Sequence, residues 1–206
     1  WIVGVERRRG AVRLLTTRVH DVASANNSTP APDESRTAHG VRPATVHVLR
    51  PIRPSDDAAV AAIIRDVMTE HGCNQSGFAI HDDEVAAMSA AYGGPGARYY
   101  VVVRDGVVLG GGGFGRLAGT DAADATCELR KMYFRPELRG LGLGRALLEL
   151  LLDEMRAAGY RRCYLETTSW MERAQQLYRD AGFVAQAERE GATGHHGCDR
   201  FFARSI

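Results

Sequence analysis

The stretch Arg139-Gly140-Leu141-Gly142-Leu143-Gly144 stands where a strand pattern over 129–134 gives way to a helix pattern over 145–155. No other segment limits the fold of this chain as strongly. Glycines at the start of a helix leave backbone N–H groups uncovered, and those groups have no partner within the helix. The positive end of the helix dipole adds roughly half a charge, so the turn suits a phosphate-bearing ligand, a nucleotide or a coenzyme. A dinucleotide fingerprint needs Gly-x-Gly-x-x-Gly, and counted from Gly140 its third glycine falls on Arg145. The phosphate loop of nucleotide hydrolases needs Lys-Ser or Lys-Thr after the glycines, and neither follows.

The rest of the chain fits an α/β domain over 45–206. A short strand begins at Val46, and Ser55-Asp56-Asp57 then supplies an N-cap and first-turn acids for a helix carrying Val60, Ile63, Ile64 and Val67. Asp82-Asp83-Glu84 opens a second helix that ends near Tyr92-Gly93. Strands over 99–104 and 107–114 are joined by Asp105-Gly106, a tight-hairpin signal. The glycine run 110–113 fits close approach of another backbone or a ligand, or equally a slack strand end. Cys127 and Leu129 alternate onto one face, as do Met132 and Phe134, but Leu129 and Met132 lie three apart. One extra residue near Arg130-Lys131, a bulge, puts all four on the same side. Leu147, Leu148, Leu151, Leu152 and Met155 keep helical period up to Gly159, a natural helix stop. A strand over 162–167, a helix over 174–181 and strands over 183–188 and 200–204 follow. The order is β-α-α-β-β-β-α-β-α-β-β.

Composition narrows the function classes. With 45% apolar and 25% charged residues in 206, the chain has ordinary globular composition, and no apolar run approaches the roughly 18 residues that span a bilayer. The net charge is +1, but residues 1–45 carry seven arginines against four acids and the remainder 19 basic against 21 acidic residues. A nucleic-acid binder usually shows a basic domain, which this is not. The Arg-rich, Ser/Thr/Ala/Pro-rich segment 1–44 reads as a mostly disordered tail. It begins at Trp1 rather than Met, which fits a truncated or misassigned start; a transit peptide is a weaker reading, given its four acids. Cys73, Cys127, Cys163 and Cys198 show no zinc-ligand rhythm, so no metal is expected and a reducing cytoplasm is.

Arg139, Gly142 and Gly144 match Arg/Gln-x-x-Gly-x-Gly/Ala, they follow Glu128-Leu129-Arg130-Lys131-Met132-Tyr133-Phe134-Arg135-Pro136, and Ala174-x-x-Leu177-Tyr178-x-x-x-Gly182-Phe183 comes later in the same order. From about Val46 to Ile206 this resembles the GNAT superfamily of acetyl-CoA-dependent N-acetyltransferases. The resemblance implies a mixed, twisted central β-sheet flanked by helices, a monomer or homodimer, and acetyl transfer from acetyl-CoA directly to a primary amine of a small molecule or peptide. It places Met132, Tyr133 and Phe134 along the pantetheine, and Arg139, Gly140, Leu141, Gly142, Leu143, Gly144 and Arg145 around the pyrophosphate. Tyr178 is implied as the acid that protonates the departing thiolate, and Glu128 as the base, each against the plainer reading of a packed core tyrosine and a sheet carboxylate paired with an arginine. The asparagine often present ahead of this tyrosine helix is missing from Thr168-Ser169-Trp170-Met171. Acceptor contacts are expected from the loops 71–83 and 190–199, with His81, Asp82, Asp83, His195 and His196 as polar candidates. A non-catalytic acyl-CoA sensor is the alternative, against which the full tyrosine signature stands; a dinucleotide oxidoreductase lacks its third glycine.

Overall fold

The computed structural model describes residues 2–8, 11–17 and 44–206. Thr45–Pro51 (β3) leads into a 14-residue helix, Asp57–Glu70 (α1). Strands Arg98–Arg104 (β4), Val107–Arg116 (β5) and Thr126–Phe134 (β6) then precede Leu143–Ala157 (α3), Arg162–Thr167 (β7), Glu172–Asp180 (α4), Val184–Gln186 (β8) and Arg200–Ser205 (β9). The second expected helix is broken into a 3-10 turn at Asp83–Ala86 and a single α-turn, Met88–Ala91 (α2), and a further 3-10 turn, Ala79–His81, precedes it. Ala87 at φ −144°, ψ 55° interrupts it.

Two strands precede this order. Ile2–Arg8 (β1) and Ala11–Thr17 (β2) pair with each other, and β2 pairs with β3, so these stretches are sheet rather than the disordered tail expected. Alternation in Val12-Arg13-Leu14 explains the difference, since Leu14 is fully buried in the main core. Residues 18–43 lie outside the described residues. Among the described residues the nine strands form one sheet in the order β1-β2-β3-β4-β5-β6-β7-β9-β8, antiparallel except for β6 against β7.

Both faces of the sheet are covered. Along β4, Tyr99, Val101 and Val103 point to a cluster with Val60, Ile63, Ile64 and Val67 of α1, while Tyr100 and Val102 point to the opposite cluster with Leu147, Leu148 and Leu151 of α3. Each buried leucine of that face contributes about 1.5–3 kcal/mol. The glycine run of β5 lies between these layers. A Cβ on Gly113 would stand 2.5 Å from Arg98 O, and one on Gly111 2.7 Å from Tyr100 O. Close approach of the neighbouring strand therefore accounts for the run.

The expected bulge is present. Gly111 pairs with Tyr133 and Gly113 with Arg130, so Lys131 and Met132 together face Gly112. Lys131 sits at φ +50°, a left-handed conformation that costs a non-glycine residue about 1–3 kcal/mol. Leu129 and Cys127 before the bulge and Met132 and Phe134 after it pack on one cluster.

Candidate active site

Strands β6 and β7 pair only at Thr126 with Arg162, Cys127 with Cys163 and Glu128 with Tyr164. Beyond Glu128 they separate, because the bulge turns β6 away while β7 stays paired to β9 along its whole length. The gap is a cleft of about 890 Å³. Leu129, Lys131, Met132, Tyr133 and Phe134 form one wall, Glu166, Thr167 and Thr168 the other, and Ala174, Leu177 and Tyr178 of α4 close one side. Trp170, half exposed, donates Nε1–H to His71 O at 3.0 Å and ties the start of α4 to the end of α1.

At one end of this cleft lies the glycine turn. Gly140 and Gly142 take φ +76° and +78°, conformations that favour glycine, and Gly142 is the N-cap of α3. No side chain caps that helix, and the first backbone bond into it is donated by Ala146 to Gly142 O. The N–H groups of the first turn are thus free of helix partners. These features fit the pyrophosphate of a coenzyme. Arg139, Gly140 and Gly144 line the cleft, whereas Leu143 is buried in the core and Arg145 lies over a separate groove between α3 and α4. Both arginines are engaged by carboxylates. Arg139 grips Glu70 with two bonds of 2.6 Å and donates Nε–H to Phe134 O, and Arg145 donates to Glu149 at 3.0 Å. Arg173, the second residue of α4, also lines the cleft; no motif in the sequence marks it.

Tyr178 reaches the cleft from α4, its ring held by Phe183 and Phe202 at centroid distances of 6.0 and 6.3 Å. Its hydroxyl makes no hydrogen bond among the described residues. Burial, with Cys163 and Cys198 nearby, holds the phenol well above its ordinary pKa. The group is therefore a proton donor throughout the neutral range.

Glu128 lies behind the cleft wall. It is 3% exposed, accepts Arg130 Nε–H at 2.7 Å on Oε2, and has His195 Nδ1 3.9 Å from Oε1. Burial raises its pKa, opposed by the Arg130 charge and hydrogen bond. His195 Nε2 is 3.0 Å from Asp82 Oδ2, which also accepts Lys131 Nζ–H at 2.6 Å; Glu84 Oε1 accepts from the same ammonium at 2.5 Å. Burial would raise both acids, but His195 and Lys131 hold Asp82 below its ordinary pKa, and the Lys131 charge and bond hold Glu84 below its own. His195 and Asp82, expected from their loops, meet here across 113 residues. His81 instead contacts Asn74 O at 3.0 Å.

Some of this arrangement carries no sequence signal. Glu166 on β7 lines the cleft, as do Cys73 and Cys198. The Cys198 thiol is pushed up to about 12 by burial, with Glu166 adding to the effect. Among the described residues no cluster of three or more His, Cys, Asp or Glu is poised to hold a metal, and no helix is long and apolar enough to cross a membrane.

Comparison with known proteins agrees with this geometry. The pattern of the acetyltransferase (GNAT) family matches residues 60–183. The Escherichia coli (strain K12) protein described as Uncharacterized N-acetyltransferase YjgM is 38% identical over 160 residues, 77% of this chain and 95% of the relative. The structure of yncA from Salmonella typhimurium, solved with its cofactor acetyl-CoA, superposes with a TM-score of 0.61 at 26% identity, covering 76% of this chain and 92% of that one. A GNAT-family acetyltransferase from Staphylococcus aureus Mu50 shares the fold, with a TM-score of 0.65 at 17% identity over 77% of this chain and 98% of its own. The open, mostly antiparallel sheet, the strands parted beside a glycine turn and the family match over more than half of the chain place it in the GNAT superfamily of N-acetyltransferases, as an acyltransferase.

Proposed function

We propose that this protein transfers acetyl from acetyl-CoA directly to a primary amine of a small molecule or peptide, both substrates being bound together. The observation that carries this reading is one continuous cleft that begins at the uncapped turn before α3 and runs between β6 and β7 past the Tyr178 hydroxyl. The turn 139–145 receives the pyrophosphate on backbone N–H groups, and the freed backbone of Met132–Phe134 runs beside the pantetheine. Acetyl-CoA supplies an activated acyl group as a thioester. Tyr178 donates its proton to the departing thiolate.

An alkyl ammonium with a pKa of about 10.4 is neutral in only about one part in a few thousand at pH 7, so taking up its proton removes roughly 4–5 kcal/mol of barrier. Glu128 has the raised proton affinity for that role, but one oxygen is committed to Arg130 and the carboxylate is not part of the cleft surface. Its route to an acceptor nitrogen runs through His195 or a water molecule. Four free cysteines suit a reducing cytoplasm. An N-acyltransferase acting on L-amino acids, MnaT of Escherichia coli, is 29% identical over 140 residues, which puts α-amino acids on the acceptor panel.

The test is a thermal melt with acetyl-CoA and with NAD, followed by thiol release from acetyl-CoA over a panel of alkyl amines, polyamines, α-amino acids and peptides. Stabilisation by acetyl-CoA alone and amine-dependent thiol release are expected. Stabilisation without thiol release for any amine favours a sensor; equal shifts with NAD defeat the reading.

A further inference from the structure

The residues lining the cleft belong to two different cores, one on each face of the sheet. Met132, Phe134, Ala174, Leu177 and Tyr178 pack with the cluster under α3. Met68, Cys73, Phe78, Tyr133 and Met171 pack with the cluster under α1. The gap left where β6 and β7 part therefore runs through the sheet and opens on both faces. A Cβ on Gly144 would meet the side chains of Leu177 and Phe134 at 3.5 and 3.7 Å, so the glycine turn lies on the α3 face. Arg173, four residues before Leu177, shares that side of α4. Once a coenzyme occupies the α3 face, the opening beside α1 is left for the acceptor.

That second opening is apolar and aromatic. Trp170 lines it with 51% of its surface exposed, one of three large hydrophobic side chains so exposed among the described residues. Its indole is already anchored, since Nε1–H donates to His71 O at 3.0 Å, so a ligand packing on it orders little more. Met171 and Tyr133, both partly buried, and Phe78 continue the surface inward. Gly197, whose N–H donates to Gly77 O at 3.0 Å, presses on the Phe78 ring and fixes it.

Charge on this side is already matched within the protein. Lys131 is held by Asp82 and Glu84, and Glu166 faces Arg189 at 3.5 Å. Arg139, beside the glycine turn, is paired with Glu70. Among the described residues, no arginine or lysine lining the α1 side is free to receive a carboxylate; His71 is the remaining basic group there. A carboxylate carried into this opening would lose water without gaining such a partner, whereas an apolar ring gains burial and edge or offset contacts with Trp170 and Phe78.

Resting on the acyl-transfer reading above, we propose that the acceptor is a primary amine with an apolar, aromatic body and no carboxylate beside the nitrogen. It enters from the α1 face, and Trp170 is the specificity-determining residue that packs against its body while the nitrogen reaches the thioester between β6 and β7.

The experiment follows thiol release from acetyl-CoA by wild type, Trp170→Ala and Trp170→Phe with three acceptors. These are 2-phenylethylamine, ethylamine, which lacks the ring, and L-phenylalanine, which adds a carboxylate; each kcat/KM is referred to the neutral form of the amine. A hydrophobic pocket discriminates about 10–200-fold per methylene, so wild type should prefer 2-phenylethylamine to either of the others by about 10²-fold. Trp170→Ala should raise KM for 2-phenylethylamine about tenfold, leave ethylamine within about twofold, and keep the melting shift with acetyl-CoA, while Trp170→Phe recovers most of the loss. If the alanine variant folds poorly, the phenylalanine variant and the wild-type ranking still decide. Equal or better turnover of ethylamine or L-phenylalanine by wild type overturns the proposal, as does turnover of polyamines without 2-phenylethylamine. An equal loss for both amines in Trp170→Ala, no loss at all, or a weakened acetyl-CoA shift overturns the role of Trp170. Failure of the wild type to bind acetyl-CoA or to acetylate any amine instead defeats the acyl-transfer reading.

Discussion

Replacing Tyr178 by Phe deletes one oxygen from a residue whose ring is packed by Phe183 and Phe202 and whose hydroxyl makes no hydrogen bond among the described residues. No protein donor or acceptor loses its partner, so stability should move by no more than about 0.5 kcal/mol, or about 2 °C in melting temperature for a chain of this size. A proton donor to the leaving thiolate is worth about 10²–10⁴ in rate, which is about 2.7–5.5 kcal/mol at 1.36 kcal/mol per decade. The two readouts therefore separate by at least a factor of about five in free energy. Thiol release under saturating acetyl-CoA and amine gives the rate, and the fluorescence of Trp170 at the cleft mouth follows coenzyme binding. Burial raises the phenol above its ordinary value of 10.0, so it stays protonated as pH rises through 9 and contributes no falling limb to the wild-type profile there. Unchanged turnover in Tyr178→Phe, with chemistry limiting the rate, would leave Tyr178 a packing residue. A melting loss of 5 °C or more would show that the hydroxyl has a structural partner.

Gly142→Val forces a β-branched residue to φ +78°, and should abolish the melting shift of roughly 2.7 kcal/mol expected from acetyl-CoA at a hundredfold excess over its Kd; a normal shift would place the phosphate site elsewhere. Gly113→Ala puts a Cβ 2.5 Å from Arg98 O and 2.6 Å from Tyr99 Cδ2, and should cost about 1–3 kcal/mol or more in chemical denaturation, with no loss showing that the sheet is looser than this spacing. His47 is fully buried beside Thr16, and burial followed by the Arg104 charge holds it below its ordinary 6.5. The unfolded chain therefore binds a proton that the folded chain excludes, so stability should fall as pH drops below about 6.5 towards the lowered value, and His47→Gln should flatten that slope in melts taken across the window. An unchanged slope would mean that other groups set it.

Local signals carried most of the fold. The helix under Leu147 and Leu151, the hairpin at Asp105-Gly106 and the bulge inferred from the phase of Leu129 and Met132 all follow from periodicity or turn chemistry within a dozen residues, and all are present. The glycine run required its neighbours to be known, since only the register of β4 shows Arg98 O and Tyr99 pressing on Gly113. Composition misled at the amino terminus, where a polar, Arg-rich average hid the alternation that buries Leu14. The helix expected from Asp82-Asp83-Glu84 failed for a different reason. Two of those acids are drawn to Lys131, 49 and 47 residues away, and the backbone there takes 3-10 turns. In the cleft, the glycine turn and the tyrosine helix were legible because each is a compact motif. Glu166 and Arg173 were not, because nothing adjacent to them in the chain distinguishes a cleft residue from an ordinary sheet or helix charge.

Lys131, the single lysine of the chain, connects these remote parts physically. Its left-handed backbone conformation is unfavourable by itself, yet the side chain is 1% exposed with two carboxylates within 2.6 Å, and its carbonyl accepts Tyr99 O–H at 3.0 Å. The two carboxylates, each more than a quarter exposed, hold the buried ammonium in place, so removing either one leaves a cation without its partner and is costly. The same Asp82 contacts His195, which approaches Glu128. The backbone that parts β6 from β7 is thus tied to acids from the turns between α1 and β4. On the proposed acyl-transfer reading, any change that unseats Asp82 or Glu84 should therefore disturb coenzyme binding as well as acceptor choice, because both depend on one buried ammonium.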